Sequence, residues 1–258
     1  MAAAASERRQ AWFAICLGAV GGGVDAIGYL TLWHIFTAHM TGNTVSASLR
    51  AAEGQWRAAL AQGVVIPLFV LGVALGAVAV EVGGRLGVRR PTSVALVLEA
   101  ALLLGALLLG AEPGPSPADV AAGASGLSPF IALLALAMGL QNTALRRVGS
   151  LPVRTSYITG VLTALAEEAV RAFFRWLDRA PGHPHDAART HHQQEALGRV
   201  GLLAGLWAAY VAGALVGVWA EARWEGRGLG VPLILLGILI AADLARPVRV
   251  PSTAGRSL

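Results

Sequence analysis

The chain has 258 residues, 55% of them hydrophobic and 14% charged, with a mean hydropathy of +0.62 and a formal net charge of +5. Soluble domains carry roughly 25% charged residues, so this composition excludes an ordinary soluble globular domain and predicts an integral membrane protein. All 20 basic residues are arginine, which excludes Schiff-base and Walker-type lysine chemistry, and the positive balance is assigned to cytoplasmic loops in a bilayer, not to nucleic acid.

Residues 1–10 form a short N-terminal tail, and the apolar run behind it extends to Phe36. That is longer than the ~7–15 residues of a signal-peptide core, so residues 11–36 are predicted to be the first membrane helix. It contains the single cysteine, Cys16, which excludes an intrachain disulfide. It also contains Asp25, about 15 residues into the predicted helix and so expected near the midplane. A carboxylate there must face the interior, paired or protonated. Two roles stand open for it: coupling or substrate contact, or a structural ion pair with Arg146 or Arg147 and nearby polar groups.

The run ends at Thr41-Gly42-Asn43, where a residue free to take positive φ and good helix-capping side chains predict a break, followed by a new helix over about 45–60. A second span follows over 60–82, with Pro67 able to kink it. The third covers 93–109 and holds a second intramembrane acid, Glu99, with a packing role and a functional one both open. The turn-rich EPGPSPAD closes it, and the fourth span covers 127–145.

Beyond it, residues 138–160 form a weaker copy of 21–43: Asn142 replaces Asp25, and Thr159-Gly160 replaces Thr41-Gly42. The acid- or amide-to-glycine spacing is 17 in the first copy and 18 in the second. An amphipathic interfacial helix follows, with Leu162, Leu165, Ala169, Phe173 and Trp176 on its apolar side. Whether each Thr-Gly element dips into the bilayer or turns at its surface is left open by the sequence. His183, His185, His191 and His192 crowd the stretch 182–194, which is expected to be a solvated loop rather than a metal site. His34 and His39 flank the end of the first helix, in titrating or interfacial structural roles. The fifth and sixth spans cover 200–220 and 229–244, and residues 247–258 form a C-terminal tail.

Residues 69–81 of the second span match 210–221 of the fifth, including Gly72 and Gly76 with Gly213 and Gly217, each pair a GxxxG close-packing signal within or between protomers. The offset between copies grows from about 118 to 141 residues, so the second copy carries an insertion of about 23 in the His-rich stretch. The fold predicted is therefore an all-α bundle of six spans. It consists of two three-helix repeats, 11–126 and 127–246, inverted because each has an odd number of spans. Placing both termini in the cytoplasm puts sixteen arginines inside and four outside.

Gly23-Val24-Asp25-Ala26, Phe36 with His39-Met40-Thr41-Gly42-Asn43, Gly139-Leu140-Gln141-Asn142, and Thr155 with Tyr157-Ile158-Thr159-Gly160 together resemble the YoaK-type family of bacterial multi-spanning membrane proteins. The resemblance runs from about Ala11 to Leu244, with the His-rich insertion as its main departure. It implies a polytopic protein of the cell membrane and no particular activity. From the residues themselves, the expectation is a small-solute transporter or permease. Its polar site would be built from Asp25, Thr41, Gly42, Asn43, Gln141, Asn142, Thr159 and Gly160. The alternative is a non-transporting scaffold or regulator that uses the amphipathic helix. No cofactor, metal or nucleic acid is expected, and no enzyme motif is present. The partners expected are the bilayer, an unidentified small solute and, through the GxxxG faces, a second copy of the chain.

Overall fold

A computed structural model describes residues 2–31, 34–85, 91–110, 128–144, 147–148, 151–152, 155, 157–177 and 187–246. These residues are helical apart from connecting turns and one two-residue ladder. In chain order the helices are α1 (Ala2–Thr31), α2 (Met40–Ala52), α3 (Trp56–Gly63), α4 (Val65–Arg85), α5 (Pro91–Leu109), α6 (Pro129–Ala144), α7 (Ile158–Leu177), α8 (Ala187–Trp224) and α9 (Gly230–Ala245). Strands β1 (Arg147–Val148) and β2 (Leu151–Pro152) pair antiparallel between α6 and α7.

Four helical stretches are long and apolar enough to cross a membrane: Ser6–Thr31, Trp56–Gly83, Thr92–Leu109 and Gln194–Trp224. Two shorter apolar helices, Pro129–Ala144 and Gly230–Ala245, stand where the fourth and sixth spans are predicted. Several boundaries differ from expectation. The first helix stops at Thr31, not Phe36, and the helix after the Thr-Gly-Asn element begins at Met40, not Val45. That second helix ends at Ala52, and α3 begins a new one. The second span is interrupted at Val64, between α3 and α4, three residues ahead of Pro67, which lies in the first turn of α4 and cannot donate to the Gly63 carbonyl. The fifth helix begins at Ala187, so part of the His-rich stretch is helix and not loop, while 178–186 lie outside the described residues.

The helices sort into a centre and a rim. α6 is buried along almost its whole length, and 67% of the α1 span window is buried against 17% in each of the spans holding α4 and α8. The rim helices turn Val70, Leu75, Val78, Leu215, Val218 and Trp219 outward, as a lipid-facing surface requires.

The centre meets the rim at two tight crossings. A Cβ added to Gly22 of α1 would collide with the Tyr210 carbonyl of α8, and one on Gly213 would collide with the Ala19 carbonyl. In the other crossing, a Cβ on Gly139 of α6 would collide with the Phe69 carbonyl of α4, and one on Gly72 with the Leu136 carbonyl. Backbone-to-backbone approach of this kind is available only to glycine, and it explains the GxxxG pairs, which here pack within one chain.

Candidate functional site

Asp25 lies on α1 six residues before its end and is almost completely buried. Past Thr31 the chain turns back on itself: the His34 N–H donates to the Tyr29 carbonyl at 3.1 Å, and His34 takes a φ of 64°. This return brings 36–39 alongside the carboxylate. One Asp25 oxygen accepts from the Thr37 N–H at 2.7 Å, the Thr37 hydroxyl at 3.0 Å and the Ala38 N–H at 3.0 Å. The other is bound by His39 Nδ1 in a short contact and by the Tyr210 hydroxyl of α8 at 2.7 Å.

Asn43 holds the returning segment in place. Its side-chain oxygen accepts from the Phe36 N–H at 3.0 Å, and its amide nitrogen donates to the Phe36 carbonyl at 2.6 Å. The Phe36 ring packs 4.7 Å from Tyr29 and 5.2 Å from His39, centroid to centroid. The Thr41-Gly42-Asn43 element is therefore the first turn of α2, with its asparagine reaching back, and not a capping break ahead of a later helix.

A carboxylate taking this many donors has its burial cost offset by hydrogen bonds and by an opposite charge. The hydrogen bond to Asp25 holds the His39 imidazolium above the usual histidine range, against its partial burial. Chemically the cluster is an acid–imidazole–phenol chain, with Tyr210 Oη 3.5 Å from His39 Nδ1, and it can hold or pass a proton. Arg146 and the side chain of Arg147, the two cations the sequence offered Asp25, lie outside the described residues.

The second group stands at the end of α6. Gln141 is fully buried, and its amide donates to the Leu17 carbonyl of α1 at 2.6 Å and to the Thr155 hydroxyl at 3.3 Å. Its oxygen is buried without a partner among the described residues. Asn142 donates to the Met138 carbonyl at 2.9 Å. Thr159 is exposed and Gly160, in the first turn of α7, lies under the Tyr157 ring as Gly42 lies against Phe36.

The eight predicted site residues thus fall into two groups. Gly21 meets Gln141 and Gly28 meets Leu134, so α1 and α6 run antiparallel. In that register Asp25 and Asn142 stand five residues apart along the crossing, about 7.5 Å at 1.5 Å per residue. Asp25 and Asn43 share one end, Gln141 and Asn142 the other, while Thr41 and Thr159 are on the surface. Glu99 belongs to neither group. It is fully buried on α5, with both oxygens unpartnered among the described residues.

Sequence reading missed Tyr210, Thr37 and the buried Asp243 of α9, which accepts from the Ser93 hydroxyl of α5 in a short contact. Asp243 had a visible signal, an acid inside an apolar run, as Asp25 did. Tyr210 had none beyond the match of its segment to 69–81. Among the described residues no group of three or more His, Cys, Asp and Glu is arranged to hold a metal ion.

The family model described as "Protein of unknown function (DUF1275)" matches residues 13–242. The chain is also 28% identical over 245 residues to "UPF0700 transmembrane protein YoaK" of Bacillus subtilis (strain 168), which covers 93% of this chain and 96% of that protein. No solved structure matches.

Proposed function

The chain belongs to the DUF1275 family and is a multi-pass membrane protein, and from that premise we propose that it is a small-solute transporter or permease built as two inverted three-helix repeats. The observation that carries this reading is the crossing of the two central spans. In a predominantly apolar core, α1 and α6 set Asp25 at one end of their crossing and Gln141 with Asn142 at the other. Polar and ionisable groups at membrane depth mark solute and ion pathways by default.

The tight crossings support the repeat. Gly22 with Tyr210 maps onto Gly139 with Phe69, and Ala19 with Gly213 maps onto Leu136 with Gly72, at offsets of 117 residues for the central helices and 141 for the rim helices in both cases. The arginine distribution supports cytoplasmic termini, and in that orientation the Asp25 cluster faces the outer side and Gln141 the inner. The solute path then runs between two polar ends, and each central helix with its rim partner forms one of two bodies that rock past the other.

The test is uptake into proteoliposomes of the full chain, screened against amino acids, sugars, nucleosides, organic acids and inorganic ions. The expected result is saturable uptake of one class that Asp25→Asn abolishes. Uptake by that variant equal to wild type removes Asp25 from the mechanism, and a rate linear in solute to high concentration marks a passive channel.

One observation favours a second reading, a non-transporting scaffold or regulator. α7 leaves Phe173, Phe174 and Trp176 exposed, while its Glu168 is buried against Arg171 at 2.8 Å and Arg199 at 3.7 Å. A helix so arranged lies flat at an interface. That reading expects no solute in the screen to enter faster than it enters empty vesicles.

A further inference from the structure

We infer that Glu99 is a proton-binding site near the middle of the membrane, separate from the Asp25 cluster. It is the eighth of eighteen residues in the span Thr92–Leu109. It lies on the buried stripe of α5 with Leu96, Leu103 and Ala106, all fully excluded from solvent. What sets it apart is the company kept by the other buried acids. Asp25 is bound by Thr37, Ala38, His39 and Tyr210, Asp243 by Ser93, and Glu168 by Arg171 and Arg199. Glu99 has no partner on either oxygen among the described residues.

An ionised carboxylate without hydrogen bonds or a counter-charge is strongly disfavoured inside a membrane protein. The group is therefore a carboxylic acid, with the proton bonded to one of its oxygens and its charge appearing only when that proton leaves. Among the described residues, the helices packed on α5 supply no substitute for the proton. α6, packed along α5, carries no titratable residue. On α4, Glu81 and Arg85 pair with each other at 2.9 Å on an exposed face. On α9, Asp243 is taken by Ser93, six residues or about 9 Å back along α5.

Gly105 of α5 packs on Leu133 of α6, and consecutive spans run in opposite directions. Glu99 therefore stands at about the level of Gly139, close in depth to the equally unpartnered oxygen of Gln141. A removable proton at this depth suits a coupling ion. This inference rests on the transporter reading only for what the proton would drive.

Infrared difference spectroscopy of the full chain in lipid vesicles, wild type minus Glu99→Gln at neutral pH in heavy water, tests the site without any solute. An ordinary glutamate, with a pKa of about 4.3, is fully ionised there. The expected difference is the carbonyl stretch of a protonated acid. A difference confined to carboxylate bands overturns the inference even if uptake is found, and the acid band upholds it even if no solute is transported. Glutamine is a neutral isostere of the proposed state, so the variant is expected to fold with wild-type helicity. If it unfolds, the wild-type spectrum before and after strong alkali decides: an acid band that is absent at neutral pH overturns the site, and one that disappears on alkalinisation upholds it. Where uptake is found, the E99Q vesicles are expected to lose its response to an imposed pH gradient.

Discussion

Around Asp25 stand Thr37, His39 and Tyr210; at positions offset by 117, 118 and 141 residues stand Asn142, Thr155, Tyr157 and Phe69. The two ends of the α1–α6 crossing share their skeleton: a threonine in the connecting segment, an aromatic ring lying on a first-turn glycine, and a rim helix pressed against a central one. They do not share charge. Carboxylate, imidazole and phenol occur together at the Asp25 end, and their counterparts are an amide, a phenol and a plain ring. The packing is alike at both ends, and the carboxylate with its imidazole and phenol partners is found at one.

Removing the charge centre gives the largest expected effect. Asp25→Ala leaves two buried backbone N–H groups, the Thr37 hydroxyl and the half-buried His39 ring without their acceptor, and should lower stability by about 3–5 kcal/mol. Asn142→Ala should cost only about 1–2 kcal/mol. Both are read by denaturation of the full chain in detergent micelles, and equal losses would break the comparison.

The shared skeleton is sharpened by Gly22→Val and Gly139→Val. Each drives a side chain into a facing carbonyl and should cost at least about 1–3 kcal/mol. The two losses should agree within about 1 kcal/mol, so one tolerated and one disruptive substitution would undo the equivalence of the crossings.

Tyr210→Phe removes one of several donors to Asp25 and should cost about 1–2 kcal/mol, while Phe69→Tyr on the other side should gain nothing. The smallest effect is the response to pH. His39 acquires its carboxylate partner on folding and its value rises. Its contribution is therefore fully present below the ordinary histidine value of about 6.5 and is lost as pH rises through the higher folded value. The melting temperature of wild type should fall over that window, and that of His39→Gln should stay flat.

The spans and the GxxxG crossings were legible because long apolar runs and paired small residues have few other uses. Asp25 was legible for the same reason, as a charge where charge is costly. What pairs with it was not. Tyr210 lies 185 residues away, and apolar patterning records that a helix exists without recording what it faces. Helix ends were misplaced because the apolar run continues past Thr31 into Ile35 and Phe36, which are covered by protein while the backbone has already turned. The Thr-Gly element was read as a break ahead of a new helix because of its backbone freedom. Its glycine instead leaves room for a ring, which depends on a fold-back no local pattern announces.

The length of α8 has a mechanical consequence. Its 38 residues make a rod of about 57 Å, set against roughly 30 Å of hydrocarbon. Even its apolar part, Gln194–Trp224, would need to lean by about 50° to be submerged entirely, steeper than spans usually lie. The first turns, residues 187–193, therefore stand proud of the lipid as a stiff post. Tyr210 is 23 residues along that post, about 35 Å from its N-terminal end. A sideways push at the tip is delivered, as by the long arm of a lever, to the one hydroxyl that reaches Asp25 from another helix.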